Sequence, residues 1–193
     1  VTEGCGLEGT RVELERGFIK VDGHQRTGEP GVFAIGDIVL GKPQLAHAAS
    51  AEGVLAIETI AGLNPPVINW EQCPGATYSS PEIGSLGLTE REARKRGYNV
   101  KVGKFPFSAI GKARILNQTD GFVKFVADAD CHDQILGVHI IGPRATDLIA
   151  EAGPLLKNEF TLEELARTIH AHPTLAEAVV EAAHATLGHA IHI

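Results

Sequence analysis

The stretch "GLNPPVINW", residues 62 to 70, divides this chain more firmly than any other. Pro65 and Pro66 remove two consecutive backbone donors, and each restricts the residue before it, so neither a helix nor a central strand runs through them. The pattern on the two sides differs. Before the break, "GFIKVD" (17 to 22) alternates apolar and polar positions and predicts a strand. "RTGEP" then turns the chain, and "GVFAIG" is a short apolar run between glycines that predicts a buried strand. "QLAHAASAEGVLAIETIA" (44 to 61) is alanine-rich with apolar residues at helical spacing and Gly62 as its stop, predicting a mostly buried helix.

After the break, residues 75 to 88 suggest extended segments with turns. "TEREARKRG" opens with Thr89, carries Glu92 three residues on and ends at Gly97, predicting a capped, exposed helix. Three strand-like runs follow, "YNVKVGKFPF", "GFVKFVAD" and "QILGVHIIG", with "ADADCHD" as the turn between the last two. Helical patterns then run from about Arg144 to Asn158, from Thr161 with Glu164 at the capping-box position, and from Pro173 to about Leu187. Strands first and helices after predict an α+β domain of roughly 120 residues.

A chain of 193 residues, 44% of them hydrophobic, can bury an ordinary core. Its net charge of −7, without a basic face, offers no electrostatic footprint for nucleic acid or an anionic membrane. No apolar run reaches the ~18 residues of a membrane span, and no basic-then-apolar leader opens the chain, so a cytoplasmic location is the expectation. Cys5, Cys73 and Cys131 are far apart, forming neither a disulfide framework, nor a zinc pattern, nor a redox pair. The start at Val1 reads as the continuation of a longer protein.

"GCGLEG", residues 4 to 9, matches a dinucleotide-binding pattern in letters only. That motif needs a strand before the glycines and a helix dipole after them, and neither is predicted here, so a loop is expected. "VFAIGDI" delivers the Asp37 carboxylate at the end of an apolar run, where it could accept hydrogen bonds from a polyol or simply form an Asx turn. Nine histidines invite a metal reading. His184 and His189, however, are five apart, which is not the spacing that places two ligands on one helical face, so no metal site is expected.

"HAHPTLAEA", residues 170 to 178, carries more. Pro173 suits a first helical position, which predicts His172 at the N-cap with its ring projecting from the helix end. Glu177 then lies just over one turn on. A carboxylate on one imidazole nitrogen selects the tautomer, stabilises the imidazolium and leaves the other nitrogen to move a proton. A plain helix start with Glu177 near its positive end accounts for the same residues, and spacing alone does not choose.

Together these stretches resemble the C-terminal part of the dihydrolipoamide dehydrogenases, within the FAD-dependent pyridine nucleotide-disulfide oxidoreductase family. "TGEPGVFAIGD" is similar to the family's second FAD motif, and "QLAH" to the segment after it that touches the flavin. "YSSPEIGSLGLTE", "KFPF", "DGFVKFV" and "ILGVHIIGPRATDLI" resemble the interface domain, and "HAHPTLAEA" is the most specific piece. The resemblance implies residues 1–65 as the last strands and helix of an FAD-binding α/β domain. It implies 66–193 as an interface (dimerisation) domain of α+β class, with an antiparallel sheet flanked by helices. It further implies Asp37 on the ribitol of FAD, Gln44, Leu45, Ala46 and His47 along the flavin, His172 as acid/base and Glu177 as its orienter. His170 would serve a structural, interface role. FAD and NAD, a homodimer whose His172 serves the partner's thiol, and the dihydrolipoyl groups of a 2-oxo acid dehydrogenase complex are the implied cofactors and partners. Glutathione, trypanothione and mercuric reductases share the fold, and a non-catalytic dimerisation module is the reading from another class. The Gly-rich FAD motif, the NAD-binding domain and the redox cysteine pair are absent from these 193 residues, so the chain is not expected to turn over alone.

Overall fold

A computed structural model describes residues 2–193 and divides the chain into two compact units, one ending at Trp70 and the other spanning Glu71–Ile193.

In the first unit, β1 (Leu14–Glu15) and β2 (Phe18–Ile19) form a short antiparallel hairpin. A small core of Ile19, Ala34 and Val39 lies beside it, with Leu7, Val12, Val21 and Ile38 packed against it. The predicted buried strand "GVFAIG" does not form. Phe33 makes a single antiparallel bridge to Arg26, and Val32 and Ile35 are exposed, because no strand among the described residues flanks this run on both sides. It leads instead into a 3-10 turn, Gly36–Ile38, with Gly36 at a positive φ of 77°. Helix α1 (Ala46–Ile60) matches the expected span but not the expected burial. Ala48, Glu52, Leu55, Ala56 and Thr59 are buried, whereas Val54, Ile57 and Ile60 are each at least 60% exposed. The "GCGLEG" segment is turn and bend, with no strand before it and no helix after it among the described residues.

The second unit is α+β. β3 (Gly75–Thr77), β4 (Glu82–Gly87), β5 (Val100–Pro106), β6 (Phe122–Asp128) and β7 (Gln134–Gly142) form one antiparallel sheet in the order β3-β4-β7-β6-β5. β6 and β7 change register by a bulge at Val126/Ala127. Alternation is clear where one face is covered: Val123 and Phe125 of β6 and Ile135, Val138 and Ile140 of β7 are buried in the main core. The helices are short. α2 (Glu90–Lys95) carries the expected capping box, with Thr89 accepting from the Glu92 amide and Glu92 accepting from the Thr89 amide. α3 (Gly111–Ile115) was not anticipated. The stretch expected as one helix from Arg144 is α4 (Ala145–Leu148), a 3-10 turn at Ile149–Glu151, then α5 (Ala152–Lys157). α6 (Leu162–Ala166) has the Thr161/Glu164 capping box.

The last helix, α7 (Glu177–Leu187), packs against β5, β6 and α6. Its Ala178, Val179, Ala182 and Ala183 are buried, which lets its backbone approach the sheet closely. Gly103 of β5 marks the closest approach, since a Cβ there would stand 2.5 Å from the Thr186 Cα. This contact fixes the helix that presents Glu177.

Candidate active site

His172 is not the N-cap of α7, as the Pro173 position suggested. The helix starts four residues later than Pro173, with Ala176 as its cap, and the His172-Pro173 peptide is cis. The Thr174 hydroxyl donates to the Ala171 carbonyl at 2.7 Å and its amide donates to Glu177 Oε2 at 2.8 Å, so residues 171 to 176 are held as a turn rather than a first helical turn.

The turn nevertheless brings the two expected residues together. His172 Nδ1 lies 2.8 Å from Glu177 Oε1. The imidazole is 74% exposed and the carboxylate 18%, so a fixed, half-buried anion holds a ring whose Nε2 faces outward. Burial works to raise the Glu177 carboxyl. The Thr174 amide, the His172 hydrogen bond and the charges of His172 and His192 outweigh it and hold the group below the usual carboxylate range. Glu177 therefore stays ionised near neutral pH, and with Nδ1 as the donor the Nε2 lone pair is the one available to accept a proton.

A cleft of about 540 Å³ opens beside this pair, lined also by Arg114, His170, Glu181, His184 and His192. His170 is a structural tie there, with Nε2 2.7 Å from Glu151 Oε1 and Nδ1 3.0 Å from the Thr168 carbonyl. Residue spacing had not singled out a second pair in the cleft. Buried Glu181 meets His192 Nδ1 at 2.9 Å and accepts the Ile191 amide at 3.1 Å. The helical spacing signals Glu181 alone, which follows Glu177 by one turn and shares its face, and not its partner. A spacing of five does not place His184 and His189 on one helical face, yet the two rings meet. α7 ends at Leu187, and beyond Gly188 the chain turns back, so the two Nδ1 atoms lie 3.2 Å apart.

The other expected site residues lie in the first unit. Asp37 is exposed in the 3-10 turn, with its carbonyl accepting from Gln44 Nε2 at 3.2 Å. Gln44, Ala46 and His47 are exposed and Leu45 is half-buried at the start of α1, a helix N-terminus with no side-chain cap. Beneath them, buried Glu52 accepts the Gly36 amide through Oε2, while its Oε1 has no partner among the described residues. An exposed carboxylate, an uncapped helix N-terminus and an orphaned buried acceptor fit a polyol- and phosphate-bearing cofactor such as FAD. Among the described residues, no group of three or more His, Cys, Asp or Glu is placed to hold a metal ion. No helix among them is long and apolar enough to cross a membrane.

The family model described as pyridine nucleotide-disulphide oxidoreductase, dimerisation domain, matches residues 73–183, which include the His172–Glu177 pair. The chain belongs to the pyridine nucleotide-disulphide oxidoreductase family. A second model, described as pyridine nucleotide-disulphide oxidoreductase, matches residues 2–53 of this family member. Its relatives include the dihydrolipoyl dehydrogenase of Bacillus subtilis, 54% identical over 98% of this chain and 40% of that protein. The dihydrolipoyl dehydrogenase of Thermus scotoductus is 51% identical over 100% of this chain and 41% of that protein. Among solved structures, LpdA from Mycobacterium tuberculosis superposes with a TM-score of 0.87 at 27% identity, over 94% of this chain and 39% of that one. The family resemblance read from "HAHPTLAEA" and the interface-domain stretches is thereby met. The chain spans about 40% of the length of the curated relatives it matches.

Proposed function

We propose that this chain is the C-terminal part of a dihydrolipoyl dehydrogenase that oxidises dihydrolipoyl groups of a 2-oxo acid dehydrogenase complex with NAD as acceptor. Residues 1–65 complete its FAD-binding domain and 66–193 are its dimerisation domain. The protein acts as a cytoplasmic homodimer with one FAD per subunit. The identity to dihydrolipoyl dehydrogenases across nearly the whole chain supports the reading. The observation that carries it is the His172–Glu177 pair, an imidazole aimed outward and held from behind by an ionised carboxylate.

In the reaction a dithiol becomes a disulfide, releasing two electrons and two protons. When bound, FAD supplies the carrier between a protein dithiol and NAD. The proton chemistry belongs to this chain. His172 Nε2 accepts a thiol proton, which converts the thiol to the nucleophilic thiolate, while Glu177 holds the ring through Nδ1 and stabilises the imidazolium. Cys5, Cys73 and Cys131 provide no redox pair, and the resemblance to the family implies that the thiol served belongs to the partner subunit. Asp37 holds the ribitol of FAD, with Gln44, Leu45, Ala46 and His47 along the flavin.

The test is His172→Gln in the full-length protein. The variant is expected to keep its flavin absorbance and to lose turnover of dihydrolipoamide with NAD by ~10²–10⁴-fold. Turnover at the wild-type rate overturns the assignment. Reduction of glutathione disulfide with NADPH and indifference to lipoamide in the wild type would instead place the protein with the glutathione reductases.

A further inference from the structure

We propose that the Nδ1 atoms of His184 and His189 form a site for one divalent transition-metal ion of the zinc class, with water completing its coordination. The proposal is independent of the redox reading above. α7 stops at Leu187, and Gly188 takes a left-handed conformation at φ 91° that only glycine adopts without strain. The Gly188 amide bonds to the Ala185 carbonyl at 3.1 Å and the His189 amide to the His184 carbonyl at 3.0 Å. These bonds fold His189 back over the last helical turn. Its ring centroid then lies 5.2 Å from that of His184, with the planes tilted by 57° and the two Nδ1 atoms 3.2 Å apart.

Two ring nitrogens bound to one zinc at ~2.0–2.1 Å with a tetrahedral angle are about 3.3 Å apart, which is close to the separation already present. Without an ion, one Nδ1 donates to the other and a single hydrogen lies between them. With an ion, both lone pairs are used and both hydrogens sit on Nε2, so no charge need be removed from either ring. The segment beyond the pair is also anchored, by Ile191 and His192 on buried Glu181. Both ligands are therefore pre-positioned, and the ion has access because His189 is exposed and His184 half-buried. Glu181, the carboxylate nearest in sequence to either ring, is committed to the tail. A site of two imidazoles without a carboxylate favours zinc, copper or nickel over magnesium or calcium, whose preferred ligands are oxygens.

The test titrates the full-length protein with zinc chloride at neutral pH by calorimetry, comparing wild type with His184→Ala, His189→Ala and, as control, His132→Asn in the β6–β7 turn. One zinc per chain is expected in the wild type and in the control, with at least tenfold weaker binding in each of the other two and no competition from magnesium. In wild-type protein, zinc should also shift the ring proton resonances of His184 and His189 together. Absence of binding by the wild type, undiminished binding by either alanine variant, or shifts confined to other histidines overturns the site.

Discussion

His172 Nδ1 and Glu177 Oε1 are 2.8 Å apart, and the other oxygen of the same carboxylate takes the Thr174 amide at 2.8 Å. The two bonds divide the labour. The backbone bond fixes where the carboxylate stands, and the side-chain bond lets that fixed charge orient and polarise the imidazole.

Glu177→Gln in the full-length protein removes the charge and keeps the shape. The amide puts an NH2 donor in place of one of the two oxygens that accept from Thr174 and His172. Flavin content should stay normal, and turnover should fall by less than the ~10²–10⁴ expected for removing the base itself. Turnover at the wild-type rate would show that Glu177 does not act on the base.

Much of this arrangement was legible because it is local. The Thr89/Glu92 and Thr161/Glu164 capping boxes each lie within four residues, and both formed as read. β6 and β7 were visible because alternate residues are buried along part or most of each, while β5 is a seven-residue run that buries only Phe105. The exceptions depend on contacts that periodicity does not carry. The start of α7 is set by where the Thr174 amide and hydroxyl bond, and "GVFAIG" needs flanking strands to become one. His184 meets His189 only because the helix ends between them. In the site, the His172–Glu177 pair was readable from one stretch of nine residues. The Glu181–His192 pair beside it was not, since it spans eleven positions and depends on the tail folding back.

Gly103 should be intolerant of any side chain. Its added Cβ would meet the Thr186 Oγ1, Cα and backbone nitrogen all closer than 3 Å, and helix backbone cannot yield as a flexible side chain does. Gly103→Ala is expected to destabilise by about 1–3 kcal/mol, read as a lower urea midpoint with an unchanged m-value. Gly111 at the start of α3 is the contrast, since outside its own helix and chain neighbours nothing lies within 4 Å of its Cβ position. Gly111→Ala should leave stability unchanged or raise it by about 0.5–1 kcal/mol. Equal midpoints for the two variants would mean that α7 does not rest on β5 at Gly103.

His139 on β7 predicts how stability responds to mild acid. Its Nε2 donates to the Leu88 carbonyl at 3.1 Å, which leaves Nδ1 to accept from the Ser85 hydroxyl at 3.0 Å. Both bonds suit the neutral ring. Burial pushes its pKa below the ordinary 6.5, with the Lys124 charge adding to this and the Leu88 bond and Glu92 opposing it. A histidine harder to protonate when folded means that the unfolded chain binds more protons as pH drops below 6.5. Stability is then lost on acidification from that point until the folded pKa is passed. Glu177 adds a separate loss only below the ordinary carboxylate value of 4.5, because its folded carboxyl is held down. Melting temperatures compared at pH values between 4.5 and 6.5 therefore isolate His139 from Glu177. In that window His139→Gln, whose amide still offers one donor and one acceptor, should lower stability at neutral pH yet lose less of it on acidification than the wild type. Parallel pH dependence in the two proteins would mean that His139 takes up its proton as readily in the fold as outside it.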